Sequence, residues 1–342
     1  MAAVAGNRHL GRRGRLGAMG PVGGLRRPDR VGTPVAFDGR SRPLGSGVAV
    51  AHWAVGSGNS ARHWLDPDAP PDRPIDAKAD PGVVATASLF RSARLAACAA
   101  QVLGRSDEAA EFSALTERLR LAFIRHYVHE DGTILSDCAT VYALAIAFDL
   151  LDGPMRQRAG DRLAEVVAEN GYRISTGFAG TPYVTKALSD TGHLDSAYRA
   201  LLEEQYPSWL YAVAMGATTI WERWDSMLPD GTINPGDMTS FNHYALGSVA
   251  DWMHQVIGGI APGEPGYRMI RIAPRPGGGL SWAKSSLITP HGRVAVAWQV
   301  AGDEMSVEID IPAGCTADVD LPGLSPATVG TGHHTFTAPV DA

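Results

Sequence analysis

Residues 218 to 225 of the chain are Thr-Thr-Ile-Trp-Glu-Arg-Trp-Asp. A single glutamate, Glu222, stands between two tryptophans, directly before Arg223 and three residues before Asp225. Burial among indole rings favours the neutral form of a carboxyl group, whereas a neighbouring guanidinium favours the charged form. A carboxylate in such a balance is suited to proton transfer near neutral pH. Indole faces also suit the C–H groups of sugars, so the stretch predicts a carbohydrate-active site at Glu222.

The same stretch is also compatible with a purely structural role. At the end of a helix, Trp221 and Trp224 would belong to the core, and Glu222 and Arg223 would form a solvated ion pair. The motif by itself does not exclude this interpretation, and the rest of the chain is needed to weigh it.

Other motifs extend the pattern on both sides of residues 218 to 225. They are Trp64-Leu65-Asp66-Pro67, Ala79-Asp80-Pro81-Gly82, Thr176-Gly177-Phe178-Ala179-Gly180-Thr181-Pro182, and the stretches 227–236, 240–247 and 271–276. In this order the motifs closely resemble those of bacterial α-L-rhamnosidases, which are inverting glycoside hydrolases. The resemblance covers about residues 63 to 325. The first sixty or so residues do not share it.

The resemblance implies a mainly helical fold with a small all-β domain. The expected architecture is part of an (α/α)6 barrel of the six-hairpin glycosidase type, followed by an antiparallel β-sandwich that covers it. We place the partial barrel at residues 63–261 and the sandwich at 262–342. Residues 1–62 are rich in Gly and Arg and show no helical or strand period, so we expect disorder there. A nucleic-acid-binding arm is the alternative for that segment, but interleaved aromatic residues are missing.

Helical periodicity supports the barrel independently of the resemblance. Short connections between successive helices predict antiparallel hairpins. The predicted helices are Val83–Leu103, a second one opened by Ser106, Ala139–Leu151, Pro154–Glu169, Pro182–Leu188, Leu194–Gln205 and Phe241–Ile257. After residue 262 the period changes to two, which predicts strands through Ile270, Val294 to Val300, Val307 to Ile311 and Val319. The tail beyond Ser325 is either a last strand or a frayed end.

The resemblance also assigns roles to individual residues. Glu222 corresponds to the general base that activates water. The substrate-binding candidates are Trp64, Asp66, Asp80, Trp221, Asp225 and His243. Structural alternatives stay open for most of these: Trp64 as a loop plug, Asp80 as the N-cap of a helix that begins at Pro81, Asp225 as a cap or a partner of Arg223, and His243 as a structural hydrogen-bonding group.

The general acid of the family lies in an Asp-Glu-Arg and Gly-Trp motif that this chain does not contain. Hydrolysis of terminal α-L-rhamnosides would then require a substitute such as Asp66, or a second polypeptide that carries the missing half of the barrel. The alternative is a truncated, non-catalytic remnant with at most weak rhamnose binding. A different helical-barrel protein, such as a terpene cyclase or a scaffold of helix pairs, would need motifs that are not seen.

The amino-acid composition narrows the range of expected binding partners further. A net charge of −6 over 342 residues gives no general electrostatic reason to bind nucleic acid or a membrane, so a neutral rhamnose-containing glycoside is the natural ligand. Acid and base carboxylates suffice for glycoside hydrolysis, so we expect no cofactor and no metal.

We expect three buried free thiols at Cys98, Cys138 and Cys315. The longest apolar run is Tyr142 to Leu151, and no secretory signal is evident, which predicts a cytoplasmic protein.

Overall fold

The computed structural model describes residues 65–69 and 76–340, all within one compact unit. Trp64 and the segment 1–62 lie outside the described residues, so the expectations for them stay predictions. A helical part comes first along the chain and two β-sheets follow, as the fold class predicted.

Three helical hairpins and a short extra helix make up the first part of the described chain. The helices are α1 Pro81–Val102, α2 Ser106–Tyr127, α3 Ala139–Ala147, α4 Gly153–Glu169, α5 Thr181–Asp190, α6 Leu194–Leu202 and α7 Trp209–Ala214. Helix α1 packs against α2, α3 against α4, and α5 against α6, while α3 also packs against α5. The predicted hairpins are therefore confirmed, whereas α7 was not predicted.

Helix α1 begins at the residue that the sequence indicated. The Asp80 carboxylate accepts hydrogen bonds from Gly82 N at 2.8 Å and Val83 N at 3.2 Å, and Pro81 occupies the first helical position. These bonds satisfy backbone donors that a helix start leaves without partners. The capping role of Asp80 is confirmed.

Helix α3 forms the centre of the helical core. Every residue from Ala139 to Ile146 is buried. The predicted extension to Leu151 is wrong because Asp149 adopts a positive φ of 60°, which is incompatible with a continuing right-handed helix. The Asp149 carboxylate is paired with two arginines, Arg94 at 2.6 Å and Arg156 at 3.2 Å. Helix α6 likewise ends early, at Leu202 rather than Gln205.

A long irregular segment separates α7 from the next helical stretch. That stretch consists of a 3-10 turn Ala245–Ser248, an α-helical turn α8 Val249–Trp252 and a π-helical turn Met253–Ile257. The predicted start at Phe241 is wrong, because the backbone of residues 240–243 pairs with residues 220–222 instead of forming helical hydrogen bonds.

Eight strands form two four-stranded sheets in the described chain. They are β1 Ile260–Pro262, β2 Met269–Ile272, β3 Trp282–Thr289, β4 Gly292–Ala301, β5 Glu304–Ile311, β6 Thr316–Val319, β7 Ala327–Val329 and β8 Gly332–Pro339. One sheet has the order β1-β2-β6-β7 and the other β3-β4-β5-β8. The pairing is antiparallel throughout except between β2 and β6, which run parallel, so the expectation of purely antiparallel sheets needs this correction. The tail beyond Ser325 forms strands, as one of its two alternatives predicted.

The second sheet is joined to the helical part by a buried hydrogen bond. Trp298 Nε1 on β4 donates a hydrogen bond of 2.7 Å to the carbonyl of Ile257, the last residue of the helical stretch 245–257. Strand β3 was not predicted because three of its four inward side chains, Ala283, Ser285 and Thr289, are small or polar and give little periodic signal.

Two expectations about individual segments need correction. Cys138 and Cys315 are buried, but Cys98 is exposed on α1. Among the described helices, α1 is the one long and apolar enough to cross a membrane by length and composition, whereas the run starting at Tyr142 lies in the buried core. The cytoplasmic location stays a prediction.

Candidate active site

Glu222 lies in an irregular bend that is paired with the segment following the next loop. Glu222 N donates to the Ser240 carbonyl at 2.9 Å, and His243 N donates to the Ile220 carbonyl at 2.8 Å. Ser240 N in turn donates to Glu222 Oε2 at 3.3 Å. The loop from Met227 to Ser240 therefore folds back, and it brings Glu222 and the segment of His243 into one neighbourhood.

The two oxygens of Glu222 have different surroundings. Oε2 is held by the Ser240 amide, while Oε1 receives no hydrogen bond from the part of the chain that the structure describes. The residue is half-buried. One oxygen is thus fixed in place and the other remains able to accept a proton or bind a water molecule.

Arg223 does not form the solvated pair with Glu222 that the structural interpretation proposed. It is buried, with 7% of its surface exposed, and its Nε donates to Asp225 Oδ1 at 2.9 Å. A second guanidinium nitrogen donates to Asp225 Oδ2 at 3.4 Å, and Asn234 Nδ2 donates to the same oxygen at 2.8 Å. The alternative in which Asp225 pairs with Arg223 is confirmed, and the bend is not the end of a helix.

The tryptophans beside Glu222 are part of the core. Trp221 packs edge-on against Tyr211 and Phe241, with ring centroids 6.4 and 5.3 Å apart. Trp224 packs edge-on against Trp209 and donates from Nε1 to the Thr176 carbonyl at 3.2 Å. Most of the indole surface therefore contacts protein. Trp221 also borders an apolar groove of about 510 Å³, so a contact of this residue with substrate stays a prediction.

Asp66 connects two of the motifs that the sequence singled out. It is 5% exposed, and its carboxylate accepts from Gly177 N and from Lys78 N, each at 2.8 Å. The loop 65–69 and the turn 223–225 enclose a crevice of about 10 Å³, which has room for about one water molecule. Asp66 therefore fastens this loop to the Thr176–Pro182 motif, beside the Arg223–Asp225 pair.

Asp66→Asn is expected to lower the free energy of unfolding by about 1 to 3 kcal/mol, because an amide has one acceptor oxygen where the carboxylate has two. One buried backbone N–H would then lose its partner. Urea unfolding followed by fluorescence measures the change. Asp68→Asn is the matched control, since Asp68 lies in the same loop with an exposed side chain that pairs with Lys78 at the surface. Equal effects of the two substitutions would contradict the fastening role of Asp66.

His243 stands in a stack of three rings. It lies parallel to Phe178 at a centroid distance of 5.0 Å and to Tyr244 at 5.1 Å, with interplanar angles of 11° and 16°. Ala245 N donates to its Nδ1 at 3.3 Å, so the structural hydrogen bond foreseen for this histidine is present. Sequence reasoning did not single out Phe178 or Tyr244. The available signal was their membership in the same motifs as Thr176 and His243.

Comparison with known proteins identifies the lineage. Residues 49–257 match the family model of the bacterial α-L-rhamnosidase 6 hairpin glycosidase domain. The chain belongs to the bacterial α-L-rhamnosidase family. Residues 259–336 match the model of the C-terminal domain of the same rhamnosidases.

Individual rhamnosidases align over most of this chain. An α-L-rhamnosidase of Streptomyces avermitilis is 42% identical over 76% of the chain and 25% of its own length, and one of Formosa agariphila is 37% identical over 82% and 30%. The crystal structure of the Aspergillus terreus α-L-rhamnosidase superposes with a TM-score of 0.79 at 40% identity, covering 81% of the chain and 33% of that enzyme. That of the Streptomyces avermitilis enzyme complexed with L-rhamnose gives 0.74 at 38% identity, covering 81% and 28%. The chain thus spans between a quarter and a third of the length of these rhamnosidases.

Tyrosines near the rhamnosidase motif are kept neutral. Burial raises the pKa of Tyr206, and the nearby Asp225 carboxylate raises it further. Burial also raises the pKa of Tyr211, whose hydroxyl donates to the Met227 carbonyl at 2.9 Å. Neither phenol is a base at neutral pH. The Asp225 carboxylate is engaged by Arg223 and Asn234, whereas Glu222 Oε1 receives no hydrogen bond from the described residues.

Proposed function

We propose that this chain contributes the base side of an inverting α-L-rhamnoside hydrolase, with Glu222 as the general base. The observation that carries the proposal is the asymmetry of the Glu222 carboxylate, which has one oxygen bonded to Ser240 N and the other without a hydrogen bond from the described residues. Membership of the rhamnosidase family supports the substrate class, as does the related Streptomyces avermitilis enzyme complexed with L-rhamnose.

The reaction needs two carboxyl groups on opposite faces of the sugar, roughly 6.5 to 9.5 Å apart. Glu222 takes a proton from water while the water oxygen forms a bond to the anomeric carbon. A carboxylic acid on the other face gives its proton to the glycosidic oxygen as that carbon–oxygen bond breaks. The products are free rhamnose with inverted configuration and the alcohol of the aglycone.

Other residues would bind the sugar hydroxyls. Asp80 uses only Oδ1 for both of its capping bonds, and its Oδ2 receives no hydrogen bond from the described residues, so a capping role and a bond to a sugar hydroxyl are compatible. His243 would present its ring edge to a hydroxyl while Phe178 and Tyr244 hold its plane. Trp64 and Trp221 stay candidates for apolar contact with the sugar.

The general acid is proposed to come from the part of the barrel that the related enzymes possess beyond the aligned region. Asp66 is the candidate within this chain, but both of its oxygens already accept main-chain N–H groups, an arrangement that suits an acceptor rather than a proton donor. We therefore favour a second polypeptide that carries the remaining hairpins. A non-catalytic remnant is the second candidate, since both oxygens of Asp66, the candidate acid in this chain, are engaged by main-chain N–H groups.

The configuration of the product tests the assignment of Glu222. With an aryl α-L-rhamnoside and the chain supplemented by the remaining hairpins, proton NMR at early times is expected to show β-L-rhamnose before mutarotation produces the α anomer. Initial release of the α anomer would mean that Glu222 is not the base. Absence of hydrolysis with the supplement present would favour the remnant.

A further inference from the structure

The outer face of the sheet β3-β4-β5-β8 contains a shallow groove that the proposed hydrolysis does not use. On the two central strands the inward side chains pack into the core, for example Val296 on β4 and Val307 on β5, which are both buried. The opposite side chains alternate outward. The groove measures about 500 Å³, within the range of roughly 300 to 1,000 Å³ found for ligand clefts.

The strand register defines the groove as two adjacent rows of outward side chains. The first row runs Trp282, Gln299, Ser306, Thr337 and the second Lys284, Ala297, Glu308, Thr335. Residues directly opposite in such rows lie about 4.5 to 5.5 Å apart. The small side chain of Ala297 on the central strand β4 leaves a low floor between the longer side chains of Lys284 and Glu308. The groove therefore forms because the strand pairing places the small side chain of Ala297 between two longer ones.

Trp282 is the unusual member of this face. It is 62% exposed, although a tryptophan is usually well buried because of its large apolar area. Gln299 lies directly opposite it, and Lys284, Ser306 and Glu308 line the same groove. An exposed indole beside such polar groups provides a flat apolar surface next to hydrogen-bonding partners, a combination that matches the alternating C–H faces and hydroxyls of a pyranose.

The charges in the groove cancel. Lys284 on β3 and Glu308 on β5 are separated by the width of β4, and neither makes an ion pair within the described ranges 65–69 and 76–340. Lys284 offers donors and Glu308 acceptors, and together they attract neither a polyanion nor a polycation. Among the described residues, the one large exposed apolar side chain that lines the groove is Trp282, since Trp298 is buried and Ala297 is small, whereas protein interfaces bury a larger apolar centre. We infer that this groove binds a neutral polysaccharide chain, with Trp282 stacking on one sugar ring and Lys284, Gln299 and Glu308 bonding its hydroxyls.

Native affinity electrophoresis of the full chain tests the inference without any need for turnover. The probes are four neutral polymers in the gel: dextran, galactomannan, arabinoxylan and hydroxyethyl cellulose. At least one polymer is expected to retard the chain, and Trp282→Ala is expected to weaken that retardation at least about tenfold in apparent dissociation constant, because it removes the flat apolar surface on which a sugar ring stacks. Glu308→Gln is expected to weaken it by a smaller factor.

Ile288→Ala is the matched control. Ile288 lies on the same strand and the same face as Trp282 and is 75% exposed, but it does not line the groove. Its substitution should leave the retardation unchanged, and circular dichroism should show all variants folded because the replaced side chains are exposed. No retardation by any polymer, or equal retardation of the Trp282→Ala and unsubstituted chains, would overturn the inference. Concentration-dependent self-association that Trp282→Ala abolishes would overturn it in favour of a protein contact.

Discussion

Glu222→Gln is expected to reduce the rate of α-L-rhamnoside hydrolysis at least about a hundredfold, because an amide cannot accept the proton of the attacking water. Glutamine has the same shape, and its amide oxygen is able to accept the hydrogen bond from Ser240 N that holds Glu222 Oε2. The bend that pairs residues 220–222 with 240–243 through main-chain bonds should therefore persist. The loss should appear in kcat rather than in binding of rhamnose.

The measurement is kcat with an aryl α-L-rhamnoside, using the chain supplemented by the remaining barrel hairpins. Glu204→Gln is the control for the chemical change itself, since Glu204 is an exposed glutamate of the same helical part. Azide, an anion that attacks carbon without losing a proton, is expected to restore part of the rate to Glu222→Gln and to form a rhamnosyl azide. Unchanged kcat in Glu222→Gln would remove Glu222 from the mechanism.

Helices were predictable from the sequence where one local signal determined them. Asp80 before Pro81 indicated the start of α1, and the helical period with short connections indicated the antiparallel hairpins. Errors arose where a distant partner changed the local outcome. Periodicity does not reveal that Asp149 is paired with two arginines in a left-handed conformation, or that residues 240–243 pair with 220–222.

The site was predictable as a set of motifs but not as a set of contacts. The sequence places Arg223 next to Glu222, yet its guanidinium pairs with Asp225 because a fork-shaped donor fits the carboxylate two residues on. The connection of Asp66 to Gly177 spans 111 residues, and the stacking of His243 on Phe178 joins two separate motifs. Chain adjacency carries no information about such long-range pairs.

The Arg223–Asp225 pair should contribute most to holding the bend. Asp225→Ala is expected to lower the free energy of unfolding by about 3 to 5 kcal/mol, because it leaves a buried guanidinium without its carboxylate. The Arg223 side chain is only 8% exposed, so its charge would remain largely desolvated after the carboxylate is lost. Asn234 Nδ2 loses its acceptor as well. Urea unfolding followed by tryptophan fluorescence is a suitable measurement, since Trp221 and Trp224 flank the pair.

Glu108→Ala is the matched control, because it breaks an ion pair with Arg105 in which both side chains are more than half exposed. Such a surface pair contributes at most about 1 kcal/mol. The double substitution Arg223→Met with Asp225→Leu should recover part of the stability lost in Asp225→Ala, because two apolar groups bury no uncompensated charge. If Asp225→Ala costs no more than Glu108→Ala, the bend around Glu222 is held by its main-chain pairing to residues 240–243 and not by the ion pair.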